Sequence, residues 1–188
     1  MYTRNSNPNR AALEEGVRVL EGGDAASAFS SGMAAASALF QALAPGDHVM
    51  AHADAYYGVT RLLQEFFVTH GLTADFVDMS DIGHVQKAMR PNTKLVWAET
   101  PSNPLLRIVD LAAIAQVART GGALSICDNT WAPILQRPFE LGMDLILYST
   151  TKYFGGHCDV LGGMLVARKR DPFFERVERV QYVAGAVP

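Results

Sequence analysis

Asp110-Leu111-Ala112-Ala113-Ile114-Ala115-Gln116-Val117-Ala118-Arg119-Thr120-Gly121-Gly122-Ala123-Leu124-Ser125-Ile126-Cys127 contains, in a single pass, a helix, a stop and a strand. Asp110 is a helix-capping residue type, and the run to Arg119 is apolar on one face at helical spacing. Gly121-Gly122 ends it, and residues 123–127 form a short apolar run of the length of a buried strand. The same alternation extends in both directions. Helices are predicted over 10–20, 32–43, 58–70 and from Asp81 to Met89. Strands are predicted over 25–30, 48–52, 73–77, 94–99, 144–148 and 163–167. Strands alternating with helices imply an α/β domain with a mostly parallel sheet flanked by helices.

Composition narrows the function. The chain has 188 residues, 49% hydrophobic and 19% charged, which is globular rather than disordered. Lys+Arg 16 against Asp+Glu 19 gives a net charge of −3, so nothing in the charge balance favours nucleic acid or an anionic membrane surface. No apolar run is long enough to span a bilayer, and the polar start, Met1 to Pro8, has no signal-peptide core. A cytoplasmic protein is the resulting expectation. Cys127 and Cys158 form no CxxC motif, and the five histidines show no helical metal-binding pair, so neither a disulfide scaffold nor a metal site is expected. GxGxxG, P-loop and GxSxG motifs are all absent.

In such sheets, ligands bind beyond the carboxyl ends of the strands. The polar residues that follow apolar runs are therefore the candidates. Lys152 follows Asp144-Leu145-Ile146-Leu147-Tyr148 and the hydroxyl run Ser149-Thr150-Thr151. Alone it is a surface lysine or, if desolvated, an amine nucleophile toward a carbonyl. Ser149 and Thr151 sit on alternate positions and suit either turn capping or a shared anion. Ser31-Gly32-Met33 is either a tight strand–helix turn or an anion seat of free amides at a helix N-terminus. Asp128 is either a cap or the partner of a protonated ring nitrogen oriented by Asn129 and Thr130. Tyr57, before Gly58, is either a core or interface aromatic or a surface on which a flat cofactor stacks.

Together these residues describe a pyridoxal phosphate pocket. The ordered set Tyr2-Thr3-Arg4, Ser30-Ser31-Gly32-Met33, Tyr57-Gly58, Glu99-Thr100-Pro101-Ser102-Asn103-Pro104, Asp128-Asn129-Thr130 and Ser149-Thr150-Thr151-Lys152-Tyr153 resembles the cysteine/methionine metabolism (transsulfuration) family of pyridoxal-phosphate enzymes. The resemblance covers essentially the whole chain. It implies the type I, aspartate-aminotransferase-like fold, with residues 1–188 as the cofactor-binding large domain, and pyridoxal 5'-phosphate as cofactor. Lys152 would be the Schiff-base lysine and the base for the α-proton. Asp128 would pair with the ring nitrogen, and Tyr57 would stack on the ring and assist proton transfer. The amides of Gly32 and Met33, beside Ser31, with the hydroxyls of Ser149 and Thr151, would hold the phosphate. Asn103 would lie near the ring hydroxyl and the substrate carboxylate. Tyr2 and Arg4 would reach a neighbouring subunit's phosphate site, which implies a homo-oligomer built as a dimer of dimers.

The activity so implied is γ-replacement or γ-elimination on a homoserine- or cystathionine-type amino acid. Cystathionine γ-synthase, γ-lyase, β-lyase and O-acylhomoserine sulfhydrylase are the alternatives within the family, and an inactive remnant acting as a binding module is the alternative outside it. Against the family pattern, the chain is expected to be a fragment. It lacks an N-terminal arm and the C-terminal domain that carries the arginine clamping the substrate carboxylate. Val59 replaces a frequent glycine, and Cys158, in place of a frequent serine, is expected to be a buried, inert thiol.

Overall fold

A computed structural model describes residues 2–184. Seven strands form one sheet: β1 (Ala25–Phe29), β2 (His48–His52), β3 (Thr73–Val77), β4 (Thr93–Glu99), β5 (Leu124–Asp128), β6 (Leu145–Tyr148) and β7 (Gly163–Ala167). Their spatial order is β1-β7-β6-β5-β4-β2-β3. The steps from β3 to β6 are parallel, whereas β7 is antiparallel to both β6 and β1. Two reversals restore direction, so β1 runs the same way as β6. Its carboxyl end therefore emerges at the same edge of the sheet as those of β2, β4, β5 and β6.

Alternate side chains of each strand serve opposite faces, as the pleat requires. Val49, Leu95, Trp97, Ile126, Leu147 and Leu165 pack on one face with α2 (Gly32–Gln41) and α6 (Pro172–Ala184). On the other face, Met50, Val96, Ala98 and Cys127 pack with α4 (Ile82–Ala88) and α5 (Leu111–Thr120), and Ile146, Tyr148 and Val166 pack near α1 (Pro8–Glu21). Burying each large side chain contributes about 1.5–3 kcal/mol, so both faces draw their stability from this two-residue period.

Local chemistry explains the helix ends. Asn7 caps α1 by accepting the Asn9 and Arg10 amides, with Pro8 in the first turn, where its missing N–H costs nothing. At the other end Gly22 takes φ 74°, a conformation in which glycine carries no Cβ penalty. Asp110 caps α5 through the Ala113 amide at 2.9 Å.

Two regions differ from the predicted pattern. Residues 58–70 are not one α-helix. A short α3 (Tyr57–Arg61) widens into a π-turn over Leu62–Phe66 and tightens into a 3₁₀ turn over Phe67–His70. Leu63 and Phe67 reach the core, where the Phe67 ring meets Phe40 at 5.5 Å, while Phe66 stays half exposed against His70. The second difference is α6, which no predicted element covers. Asp171 caps it through the Phe174 amide, and Phe173, Phe174 and Val177 bury its inner face. No helix among the described residues is long and apolar enough to cross a membrane.

Candidate active site

The chain turns back on itself between β2 and β4: β3 lies outside β2, while β4, β5 and β6 step away on the other side. Such a switch point opens a crevice at the carboxyl edge. A cavity of about 220 Å³ lies at that edge, and Lys152, Asp128, Asn103, Ser149, Thr151 and the Ser31-Gly32-Met33 turn all line it. These six positions come from the ends of β1, β4, β5 and β6.

One end of the cavity is built by close backbone approach. Ser31 caps α2, its Oγ accepting the Ala34 amide at 3.0 Å. The first amides of a helix have no partners within it, and this helix starts at Gly32. A Cβ on Gly32 would stand 2.9 Å from Ser149 Cβ, and one on Gly163 would stand 2.1 Å from the Ser31 carbonyl oxygen. The turn is therefore wedged between β6 and β7, and only glycine fits at both places. Thr151 Oγ1 donates to the Gly162 carbonyl at 3.2 Å and accepts the Gly162 amide at 3.1 Å, fixing this hydroxyl at the cavity wall. Free amides beside the Ser149 hydroxyl suit the phosphate of a cofactor, and Thr151 joins them when its single hydroxyl proton turns from the Gly162 carbonyl.

Asp128 ends β5 and is 8% exposed. Its Oδ1 accepts the Thr130 amide at 3.1 Å, and among the described residues no cation pairs with it. Burial pushes its carboxyl up to about 6. A buried acid lining a cavity, with no cation beside it among the described residues, is the acceptor that a protonated ring nitrogen pairs with, so these residues fit pyridoxal phosphate. Lys152 lies on the turn after β6, where its own amide donates to the Ser149 carbonyl at 3.1 Å and the Gly156 amide returns to its carbonyl. Its ammonium makes no ion pair among the described residues.

Other predicted residues fall elsewhere. Tyr57 is 65% exposed and does not line the cavity; Tyr56 lines it instead, with the two rings 4.8 Å apart. Tyr2 and Arg4 also lie off the cavity. The Arg4 guanidinium covers the Tyr2 ring and donates to the Tyr182 carbonyl on α6. Asn129 turns into the core, where it donates to the Tyr148 hydroxyl, which donates on to buried Glu21, and accepts from Gln136. It supports the strand end, and Thr130 alone of that pair reaches the cavity. Cys158 is exposed at φ 58°, not buried as expected, because the loop carrying it stays outside the core. Among the described residues no cluster of three or more His, Cys, Asp and Glu is arranged to hold a metal.

Glu99, quoted in the sequence motif without a role, is a cavity-lining carboxylate that sequence reasoning missed. It is buried at the end of β4, lines the cavity and stands opposite Asp128 in the β4–β5 register. The signal was present: two neighbouring strands both end on a carboxylate.

A family model described as Cys/Met metabolism PLP-dependent enzyme matches residues 1–188. The chain is 47% identical over its whole length to a probable cystathionine gamma-synthase of Herpetosiphon aurantiacus, covering 59% of that protein. It is 46% identical over 99% of its length to the cystathionine beta-lyase MetC of Bacillus subtilis, covering 48% of that protein. A solved cystathionine gamma-lyase from Lactobacillus plantarum, complexed with L-serine, superimposes with a TM-score of 0.95 at 42% identity, over 99% of this chain and 49% of that one. The chain thus spans about half the length of most of the curated relatives it matches.

Proposed function

The chain belongs to the family of Cys/Met metabolism PLP-dependent enzymes, and from that premise we propose that the cavity is a pyridoxal 5'-phosphate site serving γ-replacement or γ-elimination on homoserine- or cystathionine-type amino acids. Residues 1–188 are then the cofactor-binding large domain. The single observation that carries this reading is the convergence of Lys152, cation-free Asp128 and the Gly32–Met33 amides on one cavity. Relatives named gamma-synthase, gamma-lyase and beta-lyase match at nearly equal identity, which supports cystathionine-type chemistry on this cofactor and favours none of the three.

When bound, the cofactor supplies an aldehyde that condenses with amines and a protonated ring that withdraws electrons from the substrate's α-carbon. The residues divide the remaining work. Lys152 Nζ would hold the cofactor through its aldehyde and would be the base for the substrate's α-proton. The Asp128 carboxylate keeps the ring nitrogen protonated by direct charge pairing. The Gly32 and Met33 amides with the Ser149 and Thr151 hydroxyls bind the phosphate and fix the ring's orientation. Asn103 faces the ring hydroxyl and the substrate carboxylate. Tyr57 covers the ring, a role that requires its exposed side chain to swing over the cavity. Tyr2 and Arg4 serve the phosphate of a second subunit in a homo-oligomer, in keeping with the place of exposed Tyr2 and half-buried Arg4 away from this chain's own cavity.

The test is a visible spectrum of the native full-length protein and of Lys152→Ala, each with added pyridoxal phosphate. The unmodified protein should show a visible band that borohydride fixes onto Lys152, and the variant should lack it, with activity reduced at least a hundredfold. Assays with O-succinylhomoserine plus cysteine, and with cystathionine, then choose the reaction. Absence of the band in the unmodified protein would overturn the reading.

A further inference from the structure

Two loops of different origin flank the cavity. One follows β2 and carries Tyr56-Tyr57-Gly58; the other follows β4 and carries Asn103. They are joined through one side chain. Glu99 Oε2 accepts the Tyr56 amide at 2.6 Å and Glu99 Oε1 accepts the Asn103 amide at 2.9 Å. Both oxygens are thus committed to main chain, one to each loop, and among the described residues no cation balances the group. A buried carboxyl without a cation is costly, so a fold that needed only packing at 3% exposure would be served better by an apolar side chain.

We propose that Glu99 is a positioning residue of the cofactor site, its carboxyl setting the separation between the Tyr56–Gly58 turn and the Asn103 loop, both of which line the cavity. The inference rests on the cofactor reading above. Geometry makes the residue type specific. Two amides approach from two loops, and only a group with two acceptors on one planar end satisfies both. Glutamine offers one acceptor and turns its NH₂ toward the other amide. Aspartate is one methylene too short to keep both bonds. Gly58 adds a reason why the separation matters: a Cβ there would stand 2.7 Å from the Tyr56 ring and 2.9 Å from Met33 Sδ, so the turn packs closely on side chains beside α2. Burial and the facing Asp128, with a smaller push from Asp54, raise the Glu99 carboxyl to about 8 against the pull of its two amides. Acceptance from both amides survives protonation, because each oxygen retains a lone pair.

The experiment compares the native full-length protein with Glu99→Gln, and with Glu99→Asp as the second variant should the first fail to fold. Amide hydrogen exchange of the cofactor-free proteins and titration with pyridoxal phosphate, followed by visible circular dichroism, are measured together. The expected result is concerted loss of protection at Tyr56 and Asn103 with helix α5 unaffected. An approximately tenfold weaker cofactor affinity and an altered visible dichroism should accompany it, while borohydride still fixes the cofactor on Lys152. Unchanged affinity and dichroism, or loss of protection in one loop alone, would overturn the proposal. Failure of the unmodified protein to bind the cofactor would overturn the cofactor reading instead, and the exchange data would then decide the tie by themselves.

Discussion

The two sides of the cavity are built on different principles. On the β1–β6–β7 side, the Ser31-Gly32 turn is held by backbone against backbone, with glycines where a Cβ would overlap Ser149 or Ser31. On the β2–β4 side, the loops do not interlock and are tied by a side chain, Glu99, with a second tie outside it. There Arg107 Nε meets Asp54 Oδ2 at 2.9 Å, an ion pair linking the same two loops but open to water at the arginine. A steric wall tolerates no substitution and no movement. A wall tied by hydrogen bonds can be loosened by degrees, which suits the side that must admit a substrate.

Breaking the steric wall should have the largest effect. In Gly163→Ala the added methyl meets the Ser31 carbonyl and the Gly32 amide, neither of which is a flexible end. A loss of about 3 kcal/mol in urea unfolding is expected, together with loss of cofactor binding. Native-like stability would mean that the two sides are equally compliant.

The tied wall should instead respond to pH. A carboxyl raised in the folded state binds its proton more tightly there than in the unfolded chain. Its contribution is therefore fully present below the ordinary carboxylate range and fades as pH climbs through the folded value. With Glu99 raised to about 8 and Asp128 to about 6, the cofactor-free protein should lose stability steadily between about pH 5 and about pH 8. Glu99→Gln should flatten that slope. Buried Glu21, also raised, acts in the same sense, and His48 and His52, both lowered by burial, act in the opposite one. The quantity to measure is accordingly the difference between parent and variant. An identical slope in both would remove Glu99 as its source.

The smallest effect should come from the outer tie. Arg107→Ala removes a solvated ion pair and should cost less than about 1 kcal/mol, with cofactor affinity nearly unchanged. A loss as large as that of Glu99→Gln would show that the exposed tie, not the buried one, sets the spacing.

Much of this was readable from residue order. Strand ends are marked by apolar runs that stop abruptly, so Asp128 and the turn to Lys152 stood out, as did Ser31-Gly32-Met33. Side-chain direction was not readable. Tyr56 and Tyr57 are adjacent and chemically alike, and their placement depends on how α3 starts, which the Glu99 carboxyl helps decide from elsewhere in the chain. The π-turn at Leu62–Phe66 was hidden because Leu62, Leu63, Phe66 and Phe67 satisfy regular helical spacing equally well. Helix α6 escaped because charged residues interrupt its apolar face, although Asp171-Pro172 is a legible start. Glu99 was masked by its motif: a carboxylate after an apolar run reads as a mouth residue, and its two amide partners come from loops that sequence alone cannot bring together.

The position of β7 has a consequence in time. The first strand joins the sheet only through β7, which lies between β1 and β6. A growing chain therefore holds β1 unpaired until residues Gly163–Ala167 have been made and have slotted in antiparallel to both neighbours. Long-range pairing of this kind is slow, and unpaired strand edges invite association with other chains. The Gly32 turn is among the earliest parts of the cavity to be synthesised. It nonetheless becomes part of a binding site only when β7, the last of the seven described strands, arrives, so a nascent chain shorter than that cannot hold the cofactor there.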